Sequence, residues 1–414
     1  MATVRPFAAL RPPKNLAEIV SSLPYDVISH AEAVEAARGN ARSFLHICRA
    51  DIDTSEAQIH APETYAKSRD NLERFVAEGT LVRDNKPCFY IYRQIMRGRA
   101  QTGIVGCASV DEYLNGTIKK HELTRKEKEL DRIEHFDACS AQTEPVFLAY
   151  RKHDGIATVV SEWINSHEPE YDFTSSDGVS HILWKVDDDA AIEVIRLGFE
   201  EVPALYIADG HHRTASSAAV SARRRATHPD FRGDEEFNFL MATIFCDEDL
   251  FVMDYNRVVK DLNGLSENDF LARISEKFEI VATTMSGAPK RKHEFGMFLG
   301  GRWLSIVARP GTFNAEHPIE SLDCAILQAN LLGPVLGIAD PRTDTRIDFV
   351  GGIRGIAELE RRCREEGNAV AFALFPVAMA DLFRVADAGE IMPPKSTWFE
   401  PKLRSGLFVH EIER

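Results

Sequence analysis

The segment Ala204-Leu205-Tyr206-Ile207-Ala208-Asp209-Gly210-His211-His212-Arg213 constrains this chain more than any other. A short apolar run feeds a glycine turn that opens onto polar residues. If residues 204–207 form a buried strand and residues 211–225 a helix, the turn gathers free backbone N–H groups, a positive helix end and a guanidinium at one place. A phosphate binds at such a place. Gly210 permits a backbone angle or a close ligand approach closed to other residues, and Arg213 carries a planar fork matched to phosphate oxygens. The two histidines add donors. The same pattern also suits a helix start capped by Asp209, with Arg213 in a surface ion pair. A metal site built on the histidine pair is disfavoured, because adjacent helical side chains point roughly 100° apart. His121-Glu122 is followed by Leu-Thr-Arg, so it does not complete a His-Glu-x-x-His motif.

Around this junction the chain alternates helix and strand signals. Ser29 to Glu32 reads as a capping box that starts a helix ending near Gly39, and Pro62 to Gly79 as a second amphipathic helix. Cys88 to Tyr92 and Thr102 to Val110 read as a hairpin around Met96-Arg97-Gly98-Arg99. Thr124 to Glu127 is another capping box, predicting a charged helix from about Arg125 to Ala138. Pro145 to Tyr150, His181 to Val186 and Phe237 to Cys246 are strands, with a polar loop at Asp172 to Asp177. Beyond residue 260, helices at 266–277 and 320–336, strands near 302–308 and 370–375, and a turn at Gly351-Gly352 predict a second unit. The expected division is 1–260 and 261–414, the last segment returning to the site.

Lys119 to Arg132 supplies a second set of chemical groups. His121 and Glu122 lie in a loop before a helix whose first turn carries Lys126 and Glu127. These residues suit polyphosphate neutralisation, Mg²⁺ ligation or acceptance of a hydroxyl proton; a solvated helix with i,i+4 charge pairs is the plainer reading. Asp26, after Pro24-Tyr25, is a base or Mg²⁺ ligand, or a turn residue satisfying its own backbone. Lys395 and Lys402 flank Trp398 and Phe399, aromatic anchors that would let a lysine face phosphate. No Walker, Rossmann or protein-kinase signature is present.

Composition limits the partners. Asp and Glu outnumber Lys and Arg by 64 to 49, for a formal charge of −15, which disfavours nucleic acid as a partner. Seven scattered cysteines without a Cys-x-x-Cys pair suit reduced thiols in a cytoplasmic protein. The longest apolar stretch, Ala369 to Ala380, contains Pro376 and is too short for a bilayer. No membrane partner is expected, and self-association stays open.

The Asp209 to Arg213 turn resembles the Gly-x-x-Arg phosphate turn of the ParB/sulfiredoxin-like superfamily. Segments along nearly the whole chain resemble a family known as DUF1015, some members of which are described as free-serine kinases. They are Leu23 to Ser29, Phe44 to Ile47, Lys119 to Thr124, Lys126 to Arg132, Asp209 to Arg213, Arg346 to Gly352 and Pro394 to Lys402. The resemblance implies a mixed α/β fold with a ParB/sulfiredoxin-like core and a C-terminal α/β unit. It implies phosphoryl transfer from ATP or ADP, with Mg²⁺, to the hydroxyl of free L-serine. Gly210, His211, His212 and Arg213 would cradle phosphate. Glu122 would be the base, with Asp26 or Asp209 as competitor or metal ligand. His121, Lys126, Glu127, Arg132, Lys395 and Lys402 would attend the nucleotide. A departure stands at Asp254 to Val259, where the family pattern leads one to expect a histidine before the arginine. A ParB-like nucleotide or nuclease module and a non-catalytic binder of a phosphorylated metabolite are the other readings. Arg213→Ala is expected to weaken turnover while leaving the fold nearly intact.

Overall fold

The hairpin Phe89–Met96 and Arg99–Ser109 lies at the middle of the larger sheet. Its two-residue loop puts Arg97 and Gly98 at φ 53° and 80°, a primed turn whose twist matches the strands it joins. The computed structural model describes residues 1–54, 59–283 and 286–413. These form two units, Met1–Leu250 with Pro401–Arg414, and Phe251–Glu400. The boundary expected near residue 260 falls inside the second unit, after the strand Tyr255–Val259.

The first unit holds a nine-stranded mixed sheet. Along one path it runs Ile118–Lys119, Leu205–Asp209, Val146–Tyr150, Phe239–Cys246, Arg99–Ser109, Phe89–Met96, Ser180–Val186 and Tyr171–Thr174, and Val4–Arg5 also pairs with Arg99–Ser109. Val146–Tyr150 is buried at every position and Phe239–Cys246 at all but the last, as continuous apolar strands covered on both faces require. Ile156, Ile195 and Phe199 of helices Asp154–Ser166 and Asp189–Glu201 pack on Leu148, Ile207 and Ile244. Helix His211–Thr227 adds Val220 to a smaller cluster with Ile133 and Phe136 of helix Lys126–Cys139. The terminal segment returns to this unit, where His410–Glu411 pairs with Ala141–Gln142.

The second unit is a six-stranded antiparallel sheet in the order Phe278–Thr283, Arg302–Ala308, Glu294–Leu299, Val370–Ala373, Tyr255–Val259, Ile347–Gly351. Leu359 of helix Ile356–Glu365 packs on Val258, Phe298 and Trp303. The fold is mixed α/β.

Local departures from expectation have local causes. Asp172 lies in the strand Tyr171–Thr174, because pairing with Ser180–Val186 overrides its polar composition. The helix expected at 320–336 is a short α-helix, Asp323–Leu327, continuing as a π-turn through Leu332 before Gly333. The Ser29–Glu32 capping box forms. The one at Thr124 does not: Arg125 is the N-cap, and the Thr124 hydroxyl donates to Glu129 at 2.7 Å. All seven cysteines are unpaired. No helix among the described residues is long and apolar enough to cross a membrane.

Candidate functional site

Strand Leu205–Asp209 ends on an irregular step between Ile207 and Asp209. Gly210 follows at φ 90°, ψ 31°, and helix His211–Thr227 begins with no side chain capping it. A glycine is needed here for two reasons. Its φ is left-handed, and a Cβ would lie 3.0 Å from Arg213 Nε and 3.1 Å from Cζ. The guanidinium is folded back beneath the turn and is only 3 % exposed. It donates to the Pro145 carbonyl, and its NH2 group is 3.8 Å from Asp209 Oδ1, too far for a hydrogen bond. Asp209 accepts from the Gly210 N–H at 2.7 Å and from Lys402 Nζ at 2.9 Å. Burial opposes its ionisation, yet Lys402 and Arg213 hold it well below the usual carboxylate range.

The helix start grips the loop before helix Lys126–Cys139. His211 Nε2 accepts from the His121 N–H at 3.4 Å, and His212 Nε2 accepts from the Arg125 N–H at 2.9 Å. Each ring therefore carries its proton on Nδ1 when neutral. Burial lowers both pKa values, and it lowers that of His121 to about 4. The His121 and His211 rings meet edge to face with centroids 4.6 Å apart. His211 Nδ1 faces Glu122 Oε2 at 3.7 Å.

A buried acid ties this turn to a neighbouring cavity. Glu144 is 1 % exposed. Its Oε1 accepts from the Tyr25 N–H at 3.1 Å and the Ser405 hydroxyl at 2.7 Å, while Oε2 stands 3.8 Å from Arg132 NH1. Burial raises its pKa, against the pull of Arg213 and Arg132. The Arg132 guanidinium lies 4.0 Å from the centre of the Tyr25 ring and pairs with Asp131 at 2.7 Å. Tyr25, Arg132, Asp26, Cys48, Tyr65 and Glu127 are among the residues lining a cavity of about 330 Å³. Asp26 is exposed at its edge and close enough for its charge to raise the pKa of Arg213 and oppose the lowering at His212.

The model of a family described as a protein of unknown function, DUF1015, matches residues 4–325. The chain belongs to the DUF1015 family. No curated protein matches its sequence. Among solved structures it is similar to a free serine kinase mutant in complex with ADP, at 14% identity over 75% of this chain and 93% of that one, with a TM-score of 0.35. It is also similar to a conserved hypothetical protein from Pyrococcus furiosus, at 14% identity over 74% and 95% with a TM-score of 0.34. A third is C-terminally truncated SbnI from Staphylococcus aureus, at 10% identity over 74% and 86% with a TM-score of 0.39.

In this DUF1015 member Asp209, Gly210, His211, His212, Arg213, His121, Glu122 and Lys402 lie around one turn, while Asp26, Glu127 and Arg132 line the cavity. Lys126 is exposed on the first turn of its helix. Lys395 belongs to the second unit, where its ammonium lies 5.6 Å from the centre of the Tyr255 ring. Each histidine uses Nε2 to hold the loop, so only Nδ1 is left to donate. The only sequence signal for Glu144 is an acid directly before Pro145 and a wholly apolar strand. Ser405, distant in sequence, carried none. Among the described residues no three His, Cys, Asp or Glu side chains gather as a metal site.

Proposed function

We propose that this DUF1015 member is a nucleotide-dependent kinase that transfers a phosphoryl group to the hydroxyl of a small amino acid, free L-serine being the acceptor to which the family resemblance points. The observation that carries the reading is the uncapped start of helix His211–Thr227 on a glycine turn, with the Arg213 guanidinium buried beneath it. An anion there meets backbone N–H groups and a fixed positive charge in a site that needs no reorganisation. Arg213 acts from below as charge rather than as an exposed fork.

Glu122, partly exposed and 3.7 Å from His211, is the base. As the acceptor oxygen bonds to the terminal phosphorus, its proton passes to Glu122 and the bond from phosphorus to the bridging oxygen breaks, releasing the shortened nucleotide. Either ATP or ADP serves this chemistry as donor. A Mg²⁺ accompanying a nucleotide needs only one or two carboxylates besides phosphate oxygens. Asp26, exposed beside the turn, fits that role; Asp209 does not, since its oxygens are taken by Gly210 and Lys402. When bound, the ion would neutralise charge on the phosphates.

The test is incubation of the purified protein with ATP or ADP, Mg²⁺ and L-serine, followed by phosphorus NMR and mass spectrometry. O-phosphoserine is expected, with turnover falling at least about a hundredfold in Glu122→Gln. Nucleotide hydrolysis indifferent to serine, or binding without turnover, would refute the reading.

A further inference from the structure

The cavity of about 330 Å³ beside the turn has walls whose charges are already matched. Asp51 is held by Arg49 and His30, each at 2.8 Å. Asp131 is held by Arg132 at 2.7 Å, His60 at 2.9 Å and the Tyr65 hydroxyl at 2.9 Å. The rest of the lining includes Tyr25, Ile28, Cys48, Ala50, Ile59 and His135. Burial keeps the Cys48 thiol protonated and lowers the His135 pKa to about 3, so both are neutral. A zwitterion entering this space would leave its own charges poorly matched, at a cost that an uncharged ring system avoids. The volume is at the lower end of the range for ligand pockets and equals roughly ten water molecules, more than serine alone would fill. At the rim stand the exposed Asp26, Glu127 and Lys128, and the charge of Asp26 reaches Arg213 and His212 of the turn.

We propose that this cavity takes the nucleoside of the donor, its heteroaromatic base against the Tyr25 and Tyr65 side, with the phosphates leading past Asp26 to the turn at Gly210. The assignment rests on the kinase reading above and adds which part of the nucleotide enters which space. It leaves the side of the turn facing Glu122 to the acceptor.

Calorimetric titration of AMP, adenosine, inorganic pyrophosphate and L-serine into the wild type, Tyr65→Phe and Tyr65→Ala tests it. AMP and adenosine are expected to bind the wild type and Tyr65→Phe alike and to weaken about tenfold in Tyr65→Ala, the size of one lost base–aromatic contact. Pyrophosphate affinity should be the same in all three proteins. Unchanged AMP affinity in Tyr65→Ala overturns the assignment. So does a parallel loss of pyrophosphate, which would make Tyr65 a support of the fold through Asp131. Loss of serine binding in place of adenosine binding gives the cavity to the acceptor. If neither AMP nor pyrophosphate binds the wild type, the nucleotide reading falls and takes this assignment with it; pyrophosphate binding without AMP or adenosine binding overturns the assignment alone.

Discussion

The two units bury arginine in opposite ways. In the first, Arg213 is 3 % exposed and, against the penalty of burial, has its pKa raised by Asp26, Asp209 and Glu144. In the second, Arg257 is also 3 % exposed, but its guanidinium donates to the carbonyls of Tyr255 and Lys395 and lies over the Phe349 ring. Burial there lowers the pKa. One cation belongs to a network of acids and the other is held by dipoles. Arg213 donates to one carbonyl, that of Pro145, and its Nε and Glu144 Oε2 are left without hydrogen-bond partners, whereas two carbonyls meet the Arg257 guanidinium.

The largest expected effect tests this contrast. Arg213→Met should destabilise the first unit by about 3–5 kcal/mol, because it removes a buried cation from beside the buried Glu144 and the partly buried Asp209. Arg257→Met should cost the second about 1–3 kcal/mol, since it strands only carbonyls. Native-state hydrogen exchange reads each unit's amides separately, and equal losses would erase the distinction. The expectation that truncating Arg213 leaves the fold nearly intact gives way to its burial: a residue read from sequence as a surface fork lies beneath the turn.

That reversal marks what the chain's order conveyed and what it withheld. The apolar run at Ala204 to Ile207, the glycine and the helix after it were legible because backbone angle and periodicity are local properties. So were the hairpin at Arg97-Gly98 and the Ser29 cap. Lys402 meets Asp209, and Tyr25 and Ser405 meet Glu144, through tertiary contacts between residues more than a hundred positions apart, and no spacing rule encodes such a meeting. The strands Glu294–Leu299 and Ile347–Gly351 went unread because pairing, more than propensity, makes them strands.

Acids sharpen the comparison through pH. Asp131 of the first unit loses stabilisation to burial, but Arg132, His60 and Tyr65 bring its pKa down from 3.8 to about 2. Asp323 of the second is pushed up by burial from 3.8 to about 7, with Asp381 adding to the rise and the His293 N–H and Lys292 opposing it. The unfolded chain binds more protons at Asp131 between pH 4 and 2, so the first unit should lose about 2 kcal/mol as pH falls through that window. At Asp323 the folded chain binds more protons between pH 4 and 7. The second unit should therefore lose stability as pH rises through that window, by at most about 4 kcal/mol above pH 7. Asp323→Asn should flatten the second profile and leave the first unchanged, with exchange measured unit by unit as the check.

The smallest effect isolates the floor of the candidate site. Gly210 and Gly367 both have left-handed backbones, at φ 90° and 74°, but a Cβ at Gly367 meets nothing within 4 Å while one at Gly210 meets the Arg213 guanidinium at 3.0–3.2 Å. Gly367→Ala should cost only the conformational penalty, about 1 kcal/mol. Gly210→Ala should cost about 2 kcal/mol, because the guanidinium must also move within a close-packed interior, and pyrophosphate binding should weaken with it. The excess of the second loss over the first measures how firmly Arg213 is fixed. Matching losses with pyrophosphate binding intact would mean that the guanidinium yields freely, and a yielding cation cannot be the preformed charge on which phosphate binding at this turn depends.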